Sequence, residues 1–293
     1  MSSIEVILDR LAANPDHVFV VECHADGPRQ ATGRRLGELV AHYRGGLRGA
    51  GVEPGDRCAL LGDNSIEWIA ADLALLAEGA VAVPLYARRR PAELATILRD
   101  ADPALLLTDD GGTLGDLERA GAPALDVLPL SGASLGAAGD FAEVEAPEVD
   151  PVHPAAADDP VSIIYTSGTS GESKGVVLTR GNLDFMLAAT ARHLDEATGT
   201  RPTAGADRVL HYLPFCFAGS WISLLLALTR RSRLVLNLDF DRLSDDLAAA
   251  RPHYFQNVPL VLDRLRAGVD AALRARGGPV AALWRRAARG LEA

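Results

Sequence analysis

Between Arg35 and Asp109 the apolar positions change period several times, from helical spacing to short continuous runs and back. Such switching is the sequence signature of strands alternating with helices. In LGELVAHYRGGLRGAG, Leu36, Leu39, Val40, Tyr43 and Leu47 fall on one helical stripe, and Gly49 and Gly51 suit its C-terminal end. EPGD then turns into the strand RCALLGD. Asn64, with Glu67 three residues on, is the expected cap of the next helix. Its buried face is expected to be Ile66, Ile69, Leu73 and Leu76, with Gly79 closing it. AVAVPLY reads as a buried strand, PAELATILRDA as a helix with Pro91 in its first turn, and PALLLTD as another strand. Together they predict a doubly wound α/β unit. The glycines at 45, 46, 49 and 51 follow a helix, so they do not form a dinucleotide loop, which follows a strand.

From Ser131 to Pro160 the periodicity fades into Gly, Ala, Pro and acidic residues, the composition of a surface linker. Apolar order returns in VSIIYTSGTSGESKGVVLTRGN: a strand from Val161 to Thr166, a loop, a second strand from Gly175 to Thr179, and Asn182 as the expected cap of a following helix. The loop therefore joins strand to strand. Its glycines, Gly168 and Gly171, let backbone N–H groups face outward, and Thr166, Ser167, Thr169 and Ser170 add hydroxyls. Lys174 adds a point charge and is the only lysine in the chain; every other basic position is arginine. A nest of this kind suits a polyphosphate. The Walker A spacing does not fit, because Ser173 precedes the lysine and Gly175 follows it. A flexible Gly/Ser hairpin is the plain alternative, and the consecutive hydroxyls, apolar flanks and lone lysine weigh against it.

Composition narrows the partners. At 293 residues and 48% hydrophobic the chain can bury one large core or two smaller ones. A net charge of −10 argues against nucleic-acid binding, which needs a clustered basic surface. Cys23, Cys58 and Cys216 are far apart and form no CxxC, which reads as reduced thiols in a cytoplasm. The N-terminal residues lack a signal-peptide pattern, and no apolar run is long enough to span a bilayer. The seven histidines show no metal-ligand spacing, so no metal site is expected from them; His211 and His253 are expected to pack or lie at the surface. No GxSxG elbow supports a serine hydrolase. Seven arginines between Arg264 and Arg289 make the C-terminal stretch basic, expected as a solvated helix face, with peripheral membrane contact as the alternative.

Tyr165 to Val176, YTSGTSGESKGV, resembles the phosphate-loop signature YTSGTTGxPKGV of the AMP-dependent synthetases and ligases, the adenylate-forming superfamily that includes acyl-CoA synthetases. Upstream, GVEPGDRCALLGDNSIEWIAADLALLAEGAVAVPLY looks like the first α/β subdomain of that family. Downstream, HYLPFCFAGSWISLLLAL is similar to its acid-pocket segment, and PHYFQNVPLVLDRLRAG to a segment of the long-chain acyl-CoA synthetase branch. The likeness runs from about Arg35 to the C-terminus. It departs at Ser173, where proline is usual, at Arg180, where histidine is frequent, and at Phe217, where many relatives carry histidine.

The resemblance implies an α/β fold, the N-terminal part of the adenylate-forming large domain with layered sheets and without the C-terminal lid. It divides the chain into a first α/β subdomain at 1–130, a surface linker at 131–160, the phosphate-binding strand-loop-strand at 161–182, and an incomplete second α/β subdomain at 183–293. It implies ATP, Mg²⁺ and coenzyme A as substrates and a carboxylic acid, most simply a fatty acid, activated to acyl-AMP and then acyl-CoA. Thr166, Ser167, Gly168, Thr169, Ser170, Gly171 and Lys174 would hold the phosphates, while Phe215, Phe217 and Trp221 would form the acyl-pocket wall. The family's adenine, ribose and lid motifs do not occur before Ala293, so the expectation is a truncated form with no complete catalytic set, inactive alone. The alternatives are a non-catalytic nucleotide- or acyl-binding remnant, a fatty-acyl-AMP ligase-like activating module, and an interaction module using only the scaffold.

Overall fold

The computed structural model describes residues 2–109, 111–130, 151–167, 173–198 and 207–276, together with 278 and 284. Residues 1–254 form one compact unit and 255–293 a second. Helix α1 (Ser3–Ala13) leads into the hairpin β1 (Val18–His24) and β2 (Gly27–Thr32), then α2 (Gly33–Gly49). There follow β3 (Arg57–Leu61), α3 (Ile66–Glu78), β4 (Val81–Leu85), α4 (Pro91–Ala101), β5 (Leu105–Thr108), α5 (Gly111–Arg119) and β6 (Asp126–Pro129). The strands β7 (Pro160–Ser167) and β8 (Ser173–Thr179) precede α6 (Arg180–Thr198), β9 (Arg208–His211), α7 (Ala218–Thr229), β10 (Arg233–Asn237), α8 (Leu243–Ala250) and β11 (Tyr254–Phe255). In the second unit α9 spans Pro259–Arg276.

Two sheets result, one ordered β6-β5-β3-β4-β7-β8 and the other β11-β9-β10-β1-β2. In the first, β3, β4, β5, β6 and β7 are parallel and β8 returns antiparallel along β7. Its inner strands β3, β4 and β5 are apolar on both faces because both are covered. Cys58, Leu60, Ala82, Leu105 and Leu107 join the large core that also holds α1, α2, α3, α7 and the facing side of the second sheet. Ala59, Leu61, Val83, Leu85 and Leu106 point the other way, onto α4 and α5. The period-2 alternation of side chains thus feeds two cores from one continuous apolar run.

Several expectations change. The boundary at 130 does not follow the sheets: β1 pairs with β10 across more than 200 residues, β2 pairs with β1 at the edge of that sheet, and β7 and β8 complete the first sheet. Helix α3 is buried on every side from Ile66 to Ala77, not on one stripe, because it lies in the layer between the sheets. Its cap is Ser65, whose Oγ accepts from the Trp68 N–H, and Asn64 is free for another task. Asn182 does not cap α6 from outside; it sits in the first turn, its Oδ1 accepting from Thr179 N while Thr179 Oγ1 accepts from Asn182 N. Residues 151–160 are anchored, since the Pro151 carbonyl accepts from Arg44, His153 N donates to Ala77 O, and the His153 ring lies against Gly79. Residues 131–150 of the expected linker lie outside the described residues.

Candidate functional site

The C-terminal ends of the parallel strands, where ligands bind in open α/β sheets, bring together four separate stretches of sequence. The hairpin comes first. Lys174 stands opposite Thr166 and Ser173 opposite Ser167 in the antiparallel register. Strand alternation puts Thr166 and Lys174 on the face shared with Ile164 and Leu178, which pack toward the large core. Both are exposed, so a lysine ammonium and a threonine hydroxyl stand side by side at the open end of the sheet. Gly168, Thr169, Ser170 and Gly171, and the side chain of Ser167, lie outside the described residues.

The opposite face of the hairpin is the one that fixes it. Tyr165 is buried against α4 and its hydroxyl donates to Asp100 Oδ2 at 2.6 Å; burial and the Asp100 carboxylate both push its phenol pKa up. Directly across lies Gly175. A Cβ there would approach Ile163 Cγ2 to 2.8 Å and the Tyr165 ring to 3.1 Å. Glycine is required by this ring. Gly175→Ala should therefore destabilise the fold by about 1 to 3 kcal/mol, the usual cost of overpacking. A urea melt showing less than a few tenths of a kcal/mol would contradict the contact.

The second stretch is the connection from β4 to α4, YARRR. Arg89 is held in a turn by its N–H to Tyr86 O at 3.0 Å, and its guanidinium Nη1 donates to Ser173 Oγ at 2.9 Å. The third is Asn64, which pairs with the fourth, the β9–α7 connection: its amide donates to Leu213 O at 2.8 Å and its carbonyl accepts from Phe215 N at 2.9 Å. This clamp ties the ends of the two sheets together. Sequence reasoning missed both Arg89 and this use of Asn64. The run of three arginines just after a strand was the available signal for the first; the second depends on a partner 149 residues away.

Two of the three expected pocket aromatics are core residues instead. Phe215 packs between the rings of Trp68 and His211, 5.2 and 4.9 Å away, and Trp221 is fully buried with its indole N–H donating to Asp72 at 2.8 Å. Large apolar side chains on the inner face of α7 fill the layer between the sheets, so neither lines an opening. Phe217 alone keeps an exposed face, 44% accessible, beside Tyr86 at 5.7 Å. Next to it Cys216 is a buried thiol pushed up to about 12 by burial, which leaves it protonated and unreactive. His211 is a packing residue as expected: burial lowers it to about 4, and its Nε2 lies 2.6 Å from Ser220 Oγ and 2.8 Å from Leu213 O. His253 Nδ1 accepts from Arg208 N at 3.0 Å. Arg180 is bound to Asp184 at 2.6 Å, in a cavity of about 210 Å³ near the starts of β4 and β7, the end opposite the hairpin loop.

A polar clasp closes the side of the site. The Arg29 guanidinium reaches two carboxylates, Glu22 on β1 at 2.7 and 3.0 Å and Glu67 on α3 at 2.8 Å. Glu22 also meets His24 Nε2 at 2.8 Å and accepts from Ile66 N at 2.6 Å. Burial raises the Glu22 pKa, and these partners together outweigh it and hold it below the usual range. An open cleft of about 650 Å³ lies over the clasp, lined by His24, Arg29, Glu67 and Asp109 among others. Among the described residues, no group of three or more His, Cys, Asp or Glu side chains could hold a metal ion, and no helix is long and apolar enough to cross a membrane.

A family profile described as AMP-binding enzyme matches residues 8–286. Similar curated proteins include a chloroplastic long-chain-fatty-acid–acyl-carrier-protein ligase of Arabidopsis thaliana, 27% identical and covering 89% of this chain and 38% of its own length. Another is a long-chain-fatty-acid–CoA ligase of Mycobacterium tuberculosis, 30% identical over 231 residues, covering 75% of this chain and 37% of its own. The chain thus spans less than two fifths of the length of these relatives. Among solved structures, a Mycobacterium tuberculosis fatty acyl CoA synthetase superposes with a TM-score of 0.72 at 24% identity, covering 90% of this chain and 51% of that one. O-succinylbenzoate coenzyme A synthetase from Bacillus subtilis, solved with ATP and magnesium ion, gives a TM-score of 0.71 at 21% identity over 89% of this chain and 65% of that one. At these identities the structures establish the fold: layered α/β sheets of the adenylate-forming N-terminal domain.

Proposed function

The chain belongs to the AMP-binding enzyme family, and from that premise we propose that it carries the phosphate-binding part of an enzyme that activates a carboxylic acid with ATP. The observation that carries this reading is the placement of the sole lysine, Lys174, exposed beside Thr166 at the open C-terminal end of a parallel sheet, within a signature loop of glycines and hydroxyls. In the first half-reaction a carboxylate oxygen forms a bond to the α-phosphorus and the bond to pyrophosphate breaks. Negative charge grows on the leaving pyrophosphate, where a fixed ammonium and hydroxyl stabilise it more than they stabilise the ground state. In the second, the sulfur of coenzyme A bonds to the acyl carbon and AMP leaves. The long-chain-fatty-acid ligases among the relatives favour a fatty acid as the substrate, and Phe217 with Tyr86 offers it an apolar surface at the same end of the sheet. Magnesium enters with the nucleotide as part of the substrate, bound by phosphate oxygens.

The test is a calorimetric titration of magnesium ATP into wild type, Lys174→Gln and Lys174→Arg, at two salt concentrations. Losing a charge-assisted hydrogen bond should weaken binding about 10- to 100-fold in the glutamine variant. The arginine variant should fall between, because a planar fork cannot take the place of a compact ammonium. Wild-type affinity should drop with salt. Thermal melts should agree within about 0.5 kcal/mol, as for any exposed side chain. Equal affinity in all three proteins would end the reading.

A further inference from the structure

Arg88, Arg89 and Arg90 are consecutive, yet the middle one is unlike its neighbours. The side chains of Arg88 and Arg90 are 69% and 84% exposed, whereas that of Arg89 is 16% exposed. Arg89 has its carboxylate neighbour, Glu93, no closer than 4.0 Å, and among the described residues its close side-chain hydrogen bond goes to a neutral hydroxyl, Ser173 Oγ at 2.9 Å. Ser173 is the first residue of β8, and the next residue is Lys174. Alternation sends the Ser173 side chain toward α4 and the Lys174 side chain to the opposite face.

We propose that Arg89 is a positioning residue for Lys174: by holding the Ser173 hydroxyl it fixes the start of β8 in register with β7, and with it the origin of the lysine side chain. The proposal rests on the phosphate-binding reading of Lys174. Three observations carry it. The anchor is itself rigid, bound into the Tyr86–Arg89 turn immediately before α4. Beyond β8 the sheet has no further strand among the described residues, so β8 has a ladder on one side only, and a side-chain tie to the neighbouring β4–α4 connection replaces part of what a second ladder would supply. Finally, Ser173 stands where the resembling signature has proline, a residue that fixes φ by covalent means; here a hydrogen bond from Arg89 restrains the same point. Precise placement matters at this position, because displacing a binding group by about 1 Å is enough to cost a large factor in the step it serves.

Ser173→Ala separates this role from a simple charge effect, since it removes the bond and leaves every charge in place. Magnesium ATP is titrated into wild type, Ser173→Ala, Arg89→Ala, Arg89→Lys and the Ser173→Ala/Arg89→Ala double variant, with thermal melts and amide exchange at Lys174 and Gly175. Each alanine variant should bind about 3- to 10-fold more weakly, the double variant no more weakly than either single, as for two residues acting through one bond. Arg89→Lys should recover part of the loss, and both amides should exchange faster in either alanine variant while the melts stay together. Wild-type affinity in Ser173→Ala, or losses that multiply in the double variant, would overturn the proposal. Should wild type itself fail to bind ATP, the phosphate reading falls and the exchange data decide the tie alone: faster exchange in both variants supports it and unchanged exchange overturns it.

Discussion

Asp72→Asn should stabilise the protein increasingly as pH rises, gaining about 1.4 kcal/mol on wild type per pH unit between about pH 4 and pH 7. Asp72 is fully buried in α3; Oδ2 accepts from the Trp221 indole at 2.8 Å, and Oδ1 has no hydrogen-bond partner among the described residues. Burial raises its pKa to about 7 from an ordinary value of 3.8, with the indole bond opposing only in part. Below the ordinary value both folded and unfolded chains hold the proton. Between 3.8 and about 7 the unfolded chain releases it and the folded one keeps it, so wild-type stability falls as pH rises, then levels off. Asparagine keeps the acceptor for Trp221 and carries no charge, so that slope disappears.

His211 has the opposite sign. Its pKa is lowered to about 4 by burial, so its contribution is complete above about 6.5 and is lost as pH falls toward 4. In wild type the two slopes nearly cancel across that window; in Asp72→Asn the histidine slope is exposed. Urea melts at half-unit intervals from pH 5 to 8 measure both. A difference between variant and wild type that does not change with pH would show that Asp72 does not hold its proton in the fold.

Arg29→Ala should cost about 3 kcal/mol at pH 7. Removing one partner of a buried ion pair typically costs about 3 to 5 kcal/mol, because it strands the other charge. Here two carboxylates are stranded, Glu22 with 1% and Glu67 with 8% of the side chain exposed; the guanidinium is 48% exposed, so water can enter and the lower figure applies. Glu22 lies on β1 in the second sheet and Glu67 on α3, so the clasp joins the second sheet to the helical layer beside the site. The deficit should shrink as pH falls and the stranded carboxylates take up protons, and Glu22→Gln with Glu67→Gln should recover much of it at pH 7. A loss below about 1 kcal/mol, or one indifferent to pH, would make the clasp a surface ion pair of the ordinary weak kind.

Much of the first sheet was legible because its information is local. The stripe Leu36, Leu39, Val40, Tyr43 and Leu47, the buried run Val81–Leu85 and the N-terminal proline Pro91 each report their own element without reference to any other, and all three stand in the structure. The strand-loop-strand with its lone lysine is local in the same way, since β7 and β8 are neighbours in sequence and their register is set by the hairpin. Whatever depends on residues far apart was not legible. No periodicity says that β1 pairs with β10, that Asn64 will be taken from its helix cap by Leu213 and Phe215, or that Phe215 and Trp221 are enclosed where an aromatic near a pocket motif suggested a wall.

The sequence by itself therefore determined the family, the α/β alternation and the strand-loop-strand that carries the lone lysine, since propensity, hydrophobic period and glycine and hydroxyl spacing act over a few residues. Only the tertiary structure decided which polar groups are stranded in the core, as with Asp72, which are clasped, as with Glu22 and Glu67, and which arginine of three reaches Ser173. Burial and hydrogen-bond partnership belong to pairs of surfaces brought together by folding, and the free energy of a charge depends on that surrounding far more than on its neighbours along the chain.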